Sequence, residues 1–313
     1  MREAEAQSVG TVMLVRPVAF ESNPQTRDSN AFQAQSDAIA PEISNRLAQQ
    51  QFDGLVAVLR ANGVECVVVD DTPEPHTPDA IFPNNWISLH ADGRVVLYPM
   101  EAANRRTERR QDVIEMLQSE HGFAVTDTLD LSFAESYEQY LEGTGSLVLD
   151  RMARVAYGCI STRTHEPLAR DWCDKMGYRP MLFEARDAGG LPIYHSNVMM
   201  CIGTQFAVVC LSAISPAARS CVLEQLTADG HDVIDISFDA MNAFAGNMLE
   251  ITNADGERLL AMSAQAEASL TAAQKQQLNA YARIVSAPIE HIETQSGGSV
   301  RCMLAEVHLP RTG

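Results

Sequence analysis

No stretch of this 313-residue sequence approaches the roughly 18 apolar residues needed to span a bilayer, and its start has no charged-then-apolar leader. Neither a membrane span nor a signal peptide is expected, and the cytosol is the expected compartment. None of the seven cysteines (66, 159, 173, 201, 210, 221 and 302) stands in C-x-x-C spacing, and their number is odd. A disulfide framework and a zinc site are both disfavoured on that ground. Positive charge is scarce, with 23 Lys and Arg against 41 Asp and Glu, a net charge of -18 spread without a long acidic block. Nucleic acid and anionic membrane are therefore poor partners. Apolar residues are plentiful at 46%, enough to build one large globular domain or two ordinary ones.

Short β-rich pairs recur along the chain, each followed by a helical stretch and a further strand, as in Val95 to Pro99, Glu101 to Glu120 and Phe123 to Thr126. A small or amide-bearing pair opens an apolar strand each time. The openers are Asn84-Asn85, Gly145-Ser146, Ser196-Asn197, Gly246-Asn247 and Gly298-Ser299, with second members spaced by 61, 51, 50 and 52 residues. Turn chemistry alone also places Gly, Ser and Asn before strands, but the regular spacing is in the range of propellers and arrays. Five copies predict an α/β ring of five-fold pseudosymmetry, in which equivalent strand starts converge on one axis and one pocket.

Three chemically capable residues lie at these repeat ends. Cys302 follows the flexible turn Gly297-Gly298-Ser299 and is the candidate nucleophile; a cysteine nucleophile needs a thiolate, usually with a histidine beside it. His195 precedes a repeat strand in Tyr194-His195-Ser196-Asn197 and is the candidate acid and base. Glu142 precedes another, in Leu141-Glu142-Gly143-Thr144-Gly145, where a carboxylate could orient an imidazole. Each alone carries little; the constellation carries the argument.

These motifs resemble those of the amidinotransferase and arginine deiminase superfamily, the penteins, over nearly the whole chain. Gly-Gly-x-x-Arg-Cys-Met around Cys302 resembles the family's nucleophile motif, and Leu141-Glu142-Gly143 and His195 resemble its orienting acid and general acid/base. The resemblance implies a single catalytic domain over residues 1–313 with a five-bladed α/β propeller fold, no metal and no organic cofactor. It also implies amino-acid-binding residues. Arg163, in Ser161-Thr162-Arg163-Thr164, matches the arginine that holds the substrate α-carboxylate; Arg105-Arg106 falls where a second is expected; and Asp79 matches the position that meets the α-amino group. A planar guanidinium fork suits a carboxylate through two charge-assisted hydrogen bonds.

The departures from the family pattern bear on the substrate. Arginine deiminases carry an aspartate two residues after the histidine and another at the second-blade strand, where this chain has Asn197 and Asn85. A buried guanidinium facing two amides lacks its counter-charge, whereas a neutral ureido group offers an acceptor and donors that amides match. The pattern therefore resembles most closely the citrulline ureidases, which release ornithine, carbon dioxide and ammonia. The usual Glu-Gly-Gly-Asp is also altered, to Glu142-Gly143-Thr144-Gly145. In the expected mechanism a Cys302 thiolate attacks the ureido carbon while imidazolium His195, its charge favoured by Glu142, protonates the departing nitrogen. The competing expectations are a dimethylarginine or arginine hydrolase, an amidinotransferase, or a non-catalytic pentein that binds an amino acid or a protein partner. Assembly into a homo-oligomer is left open.

Overall fold

The computed structural model describes residues 5–27, 29–33 and 39–312. Its strands form five sheets of three strands each. Four follow one pattern: two antiparallel strands, then a third that returns parallel to the second. These are Ile87–Leu89, Arg94–Leu97 and Asp127–Asp130; Leu147–Asp150, Val155–Cys159 and Arg179–Phe183; Met200–Ile202, Phe206–Val209 and Asp232–Asp235; and Leu249–Thr252, Arg258–Ser263 and Arg283–Ala287. Parallel return needs a crossover, and helices at Gln111–Ser119, Glu166–Met176, Pro216–Ala228 and Ala272–Asn279 supply it.

The fifth sheet is assembled from both ends of the chain. Thr11–Arg16 lies between Ala305–Glu306, antiparallel, and Glu65–Asp70, parallel. Its crossover helix, Pro41–Ala61, starts on a proline suited to a first helical turn and buries Ala48, Phe52, Leu55, Val56 and Leu59. The positions recur at three- and four-residue intervals, one face of a 3.6-residue helix. Truncating Phe52 there costs about 3–5 kcal/mol by the usual price of a core cavity.

Two sequence expectations need correction. Phe123 to Thr126 is not the third strand of its unit: pairing starts at Asp127 opposite Arg94, and Phe123 instead buries its ring in the core beside a single bridge to Arg311. Nor do the opener pairs begin strands. Three of them sit in short helical turns just before the strands, at Pro83–Asn85, Gly143–Ser146 and Ser196–Val198, whereas Gly298-Ser299 immediately precedes the turn Val300–Met303 and Gly246-Asn247 lies in a non-helical turn ahead of Leu249. The turns bond to one another: Thr144 Oγ1 donates to the Asn84 carbonyl at 3.3 Å, Ser196 Oγ to the Ser146 carbonyl at 2.7 Å, and Asn247 Nδ2 to the Asn197 carbonyl at 2.9 Å. The bonds between the turns gather their amides, their hydroxyls and the cysteine in one place.

Candidate active site

Cys302 lies on the turn Val300–Met303, whose neighbours fix it from both sides. Arg301 points away from the sulfur, donating to the Leu304 carbonyl at 2.8 Å and to Glu306 Oε2 at 2.6 Å. Ser299 Oγ donates to Glu293 at 2.6 Å, and Tyr194 donates its hydroxyl proton to the Gly297 carbonyl at 2.8 Å. Gly297 has φ of +69°, and a Cβ there would stand 2.6 Å from Asn30 Nδ2, so the turn admits only glycine.

The sulfur is buried and receives two amide donors, Asn197 Nδ2 at 3.3 Å and Asn247 Nδ2 at 3.2 Å. Each of these amides leaves its buried Oδ1 without a partner. N–H groups aimed at a sulfur stabilise its anionic form. Asn247 stands in the repeat position equivalent to Asn85 and Asn197, yet sequence reasoning did not nominate it for the site. Its place among the openers was the available signal.

His195 directs Nε2 to Glu142 Oε2 at 2.9 Å, which leaves Nδ1 as the nitrogen for chemistry. Glu142 is wholly buried, with Oε1 on the Glu101 amide at 3.0 Å and Arg163 3.6 Å from Oε2. Burial alone would raise its pKa, but Arg163, His195 and Arg105 outweigh burial and bring it down to about 2. For His195 the balance falls the other way: desolvation lowers its pKa, and Glu142 opposes this without overcoming it. Burial thus works against the imidazolium that Glu142 favours. Gly145 allows this packing, since a Cβ there would stand 2.5 Å from Asn85 Nδ2 and 2.8 Å from His195 Nδ1.

Cys302 and His195 line one cavity of about 280 Å³, partly open to solvent, together with Asp79, Asn85, Arg105 and Arg163. Asn197 reaches the sulfur but does not line this cavity. Arg106 is not brought in either. Adjacent residues on the tight turn Ala103–Glu108 face directions about 120° apart, and Arg106 turns to the carbonyls of Met100 and Glu101. Arg105 is buried, with Nε and Nη2 each 2.9 Å from one oxygen of Glu108 and Nη1 2.8 Å from Asn85 Oδ1. Against the burial that would discharge it, Glu108 and Asp79 hold it cationic. Arg163 contacts Glu101 at 3.1 Å and Ser29 Oγ at 2.6 Å, over the ring of Tyr194. Asp79 Oδ2 accepts from Asn23 at 2.7 Å, while its Oδ1 is buried and unpartnered, an acceptor open to a donor. The loop that carries Asn23, Thr26, Ser29 and Asn30 was invisible to the repeat argument because it lies outside every repeat. Among the described residues no three His, Cys, Asp or Glu side chains gather to hold a metal ion.

Residues 16–309 match the family model described as N,N dimethylarginine dimethylhydrolase, eukaryotic. No curated protein sequence matches the chain. Among solved structures, apo ArgZ, an arginine dihydrolase from the ornithine-ammonia cycle in cyanobacteria, superposes with a TM-score of 0.71 at 15% identity, over 96% of this chain and 41% of that one. This chain thus spans about two fifths of full-length ArgZ. The N-terminal domain of ArgZ bound to substrate gives a TM-score of 0.71 at 15% identity, over 95% of this chain and 97% of that one. A Cys→Ser variant of the dimethylarginine hydrolase DDAH from Pseudomonas aeruginosa, complexed with citrulline, gives 0.65 at 13% identity, over 96% and 99%. At these identities the likeness is one of fold.

Proposed function

We propose that this chain, which belongs to the N,N dimethylarginine dimethylhydrolase family within the pentein superfamily, is a cysteine hydrolase that splits citrulline into ornithine, carbon dioxide and ammonia. One observation carries the choice of substrate: the reacting end of the site is built of neutral amides. Asn85 lines the cavity with Cys302 and His195, and Asn197 and Asn247 direct N–H groups at the sulfur. The cavity wall itself holds two guanidiniums, Arg105 and Arg163, against one carboxylate, Asp79. With Arg105 paired to Glu108 and Arg163 to Glu101, and Asp79 taken by the α-ammonium, no lining carboxylate is left to offset a cation on the substrate side chain.

The reaction follows from these positions. Neutral His195 takes the Cys302 thiol proton as substrate enters, and the thiolate attacks the ureido carbon. His195 returns that proton to the departing δ-nitrogen as the C–N bond breaks, which leaves a carbamoyl group on sulfur and free ornithine. Water, losing a proton to His195, then displaces the sulfur and releases carbamate, which decays to carbon dioxide and ammonia. Glu142 holds the imidazole throughout, Arg163 takes the α-carboxylate, and the free oxygen of Asp79 takes the α-ammonium.

We read residues 1–313 as a single domain and the five sheets as blades of one closed propeller with pseudo-five-fold symmetry. The bonds from turn to turn support this, as does the bridge between Leu89 and Val307 that joins the last sheet to the first. Seven free cysteines support a cytoplasmic setting, and no helix among the described residues is long and apolar enough to cross a membrane.

The rival reading is hydrolysis of arginine or a methylated arginine, with Asp79 as counter-ion for the guanidinium. Incubation with citrulline, arginine and dimethylarginine, followed by ornithine and ammonia assays, separates the two: preference for arginine or its methylated form would overturn the citrulline reading. Alkylation of one thiol by iodoacetamide, blocked by citrulline, separates an enzyme from a non-catalytic binding protein.

A further inference from the structure

Building on the citrulline reading, we propose that the buried Arg105–Glu108 pair is a positioning device: it fixes which edge of the Asn85 amide faces the reacting group, and so selects a ureido oxygen over a guanidinium. The argument starts from donor counting. A guanidinium has N–H donors and no acceptor. All three nitrogens of Arg105 are committed: Nε and Nη2 to the two oxygens of Glu108, Nη2 also to the carbonyls of Asp79 and Phe82 at 3.4 Å, and Nη1 to Asn85 Oδ1 at 2.8 Å.

A guanidinium gripped along its Nε–Nη2 edge by both oxygens of Glu108 does not turn to follow its neighbour, so the Asn85 amide must present oxygen to Nη1. Its Nδ2 is left for the other side. One N–H goes to Asn84 Oδ1 at 3.0 Å. The nitrogen packs close over Gly145, as does His195 Nδ1, and Asn85 lines the cavity with Cys302 and His195. Asn85 therefore offers the reaction chamber a donor. A ureido oxygen accepts from it; a guanidinium, itself all donors, does not. Turning the amide over would bring its N–H2 against Arg105 and remove the discrimination. Glu108 is buried and touches Arg105 through both oxygens, and its part is to hold Arg105 still.

The test exploits the fact that arginine and citrulline share the same α-carboxylate. Arg105→Lys, Glu108→Gln, Asn85→Ala and the Asn85→Ala/Arg105→Lys double variant are compared with wild type, reading kcat and KM for citrulline and the competitive Ki of arginine. An orienting pair predicts that Arg105→Lys and Glu108→Gln each cut kcat/KM for citrulline by roughly tenfold or more, the size of one directed hydrogen bond, with arginine Ki unchanged or tighter. In the Asn85→Ala background Arg105→Lys should have no further effect beyond about twofold. If citrulline KM and arginine Ki instead rise together, Arg105 is a carboxylate anchor and the inference fails. Equal effects with and without Asn85 overturn it as well. If Arg105→Lys does not fold, as judged by thermal melting, Glu108→Gln alone decides by the same ratio. Wild-type turnover of citrulline with an additive cycle sinks only this inference; wild-type preference for arginine sinks the functional reading beneath it.

Discussion

Replacing Glu142 with glutamine isolates one buried charge whose contribution can be worked out. Its carboxyl is brought from 4.5 to about 2 against full burial, by Arg163, His195 and Arg105. Because the folded value is depressed, the stabilisation is complete above the unfolded pKa and is lost as pH falls toward the folded one. Linkage between those values gives a loss of about 2 kcal/mol on going from about pH 5 to about pH 3. Glutamine does not titrate, whereas every other acid in the chain titrates in both proteins. Urea unfolding of both should therefore show the stability gap between wild type and Glu142→Gln shrinking by about 2 kcal/mol over that interval. A gap that stays constant to within about 0.5 kcal/mol would refute the ionised, cation-held carboxylate. In the same variant kcat should fall by roughly 10²- to 10⁴-fold, and the acid limb of its pH profile should move to lower pH, because the group that opposes the lowering of the His195 pKa is gone.

Cys302→Ser and His195→Ala should each abolish turnover while thermal melting remains cooperative; near-normal rate in either removes that residue from the chemistry. Asn247→Ala deletes a donor 3.2 Å from the sulfur, so kcat for citrulline should fall by roughly tenfold for one lost hydrogen bond, and an unchanged kcat would deny Asn247 that role. Gly145→Ala places a methyl against Asn85 and His195 and should lower kcat by roughly 10²-fold, the cost of a misplaced catalytic group, with KM little changed. Arg163→Ala should raise KM for citrulline by about 10²-fold as a charge-assisted contact is lost, while Arg106→Ala should leave it within about twofold; the reverse order would mean that the wrong arginine has been assigned.

The parts of the site that were legible in the sequence are those that recur. Asn85, Ser146, Asn197 and Asn247 recur just before their strands, and a period near fifty residues is visible without any structure because the turns that lead into strands favour small and amide residues. What was illegible depends on pairing across distance. The fifth sheet joins residues 11–16 to residues 305–306, a contact for which no local pattern exists. Arg105 and Arg106 are indistinguishable as letters; the tight turn alone sends one into the cavity and the other to backbone carbonyls. The desolvation that acts on His195 was illegible for the same reason. A carboxylate partner can be guessed from a motif, but the desolvation that outweighs it is the sum of every neighbour that excludes water. In the proposed mechanism a neutral imidazole takes the thiol proton within the site, where two amide N–H groups already point at the sulfur and no charge on the substrate is needed.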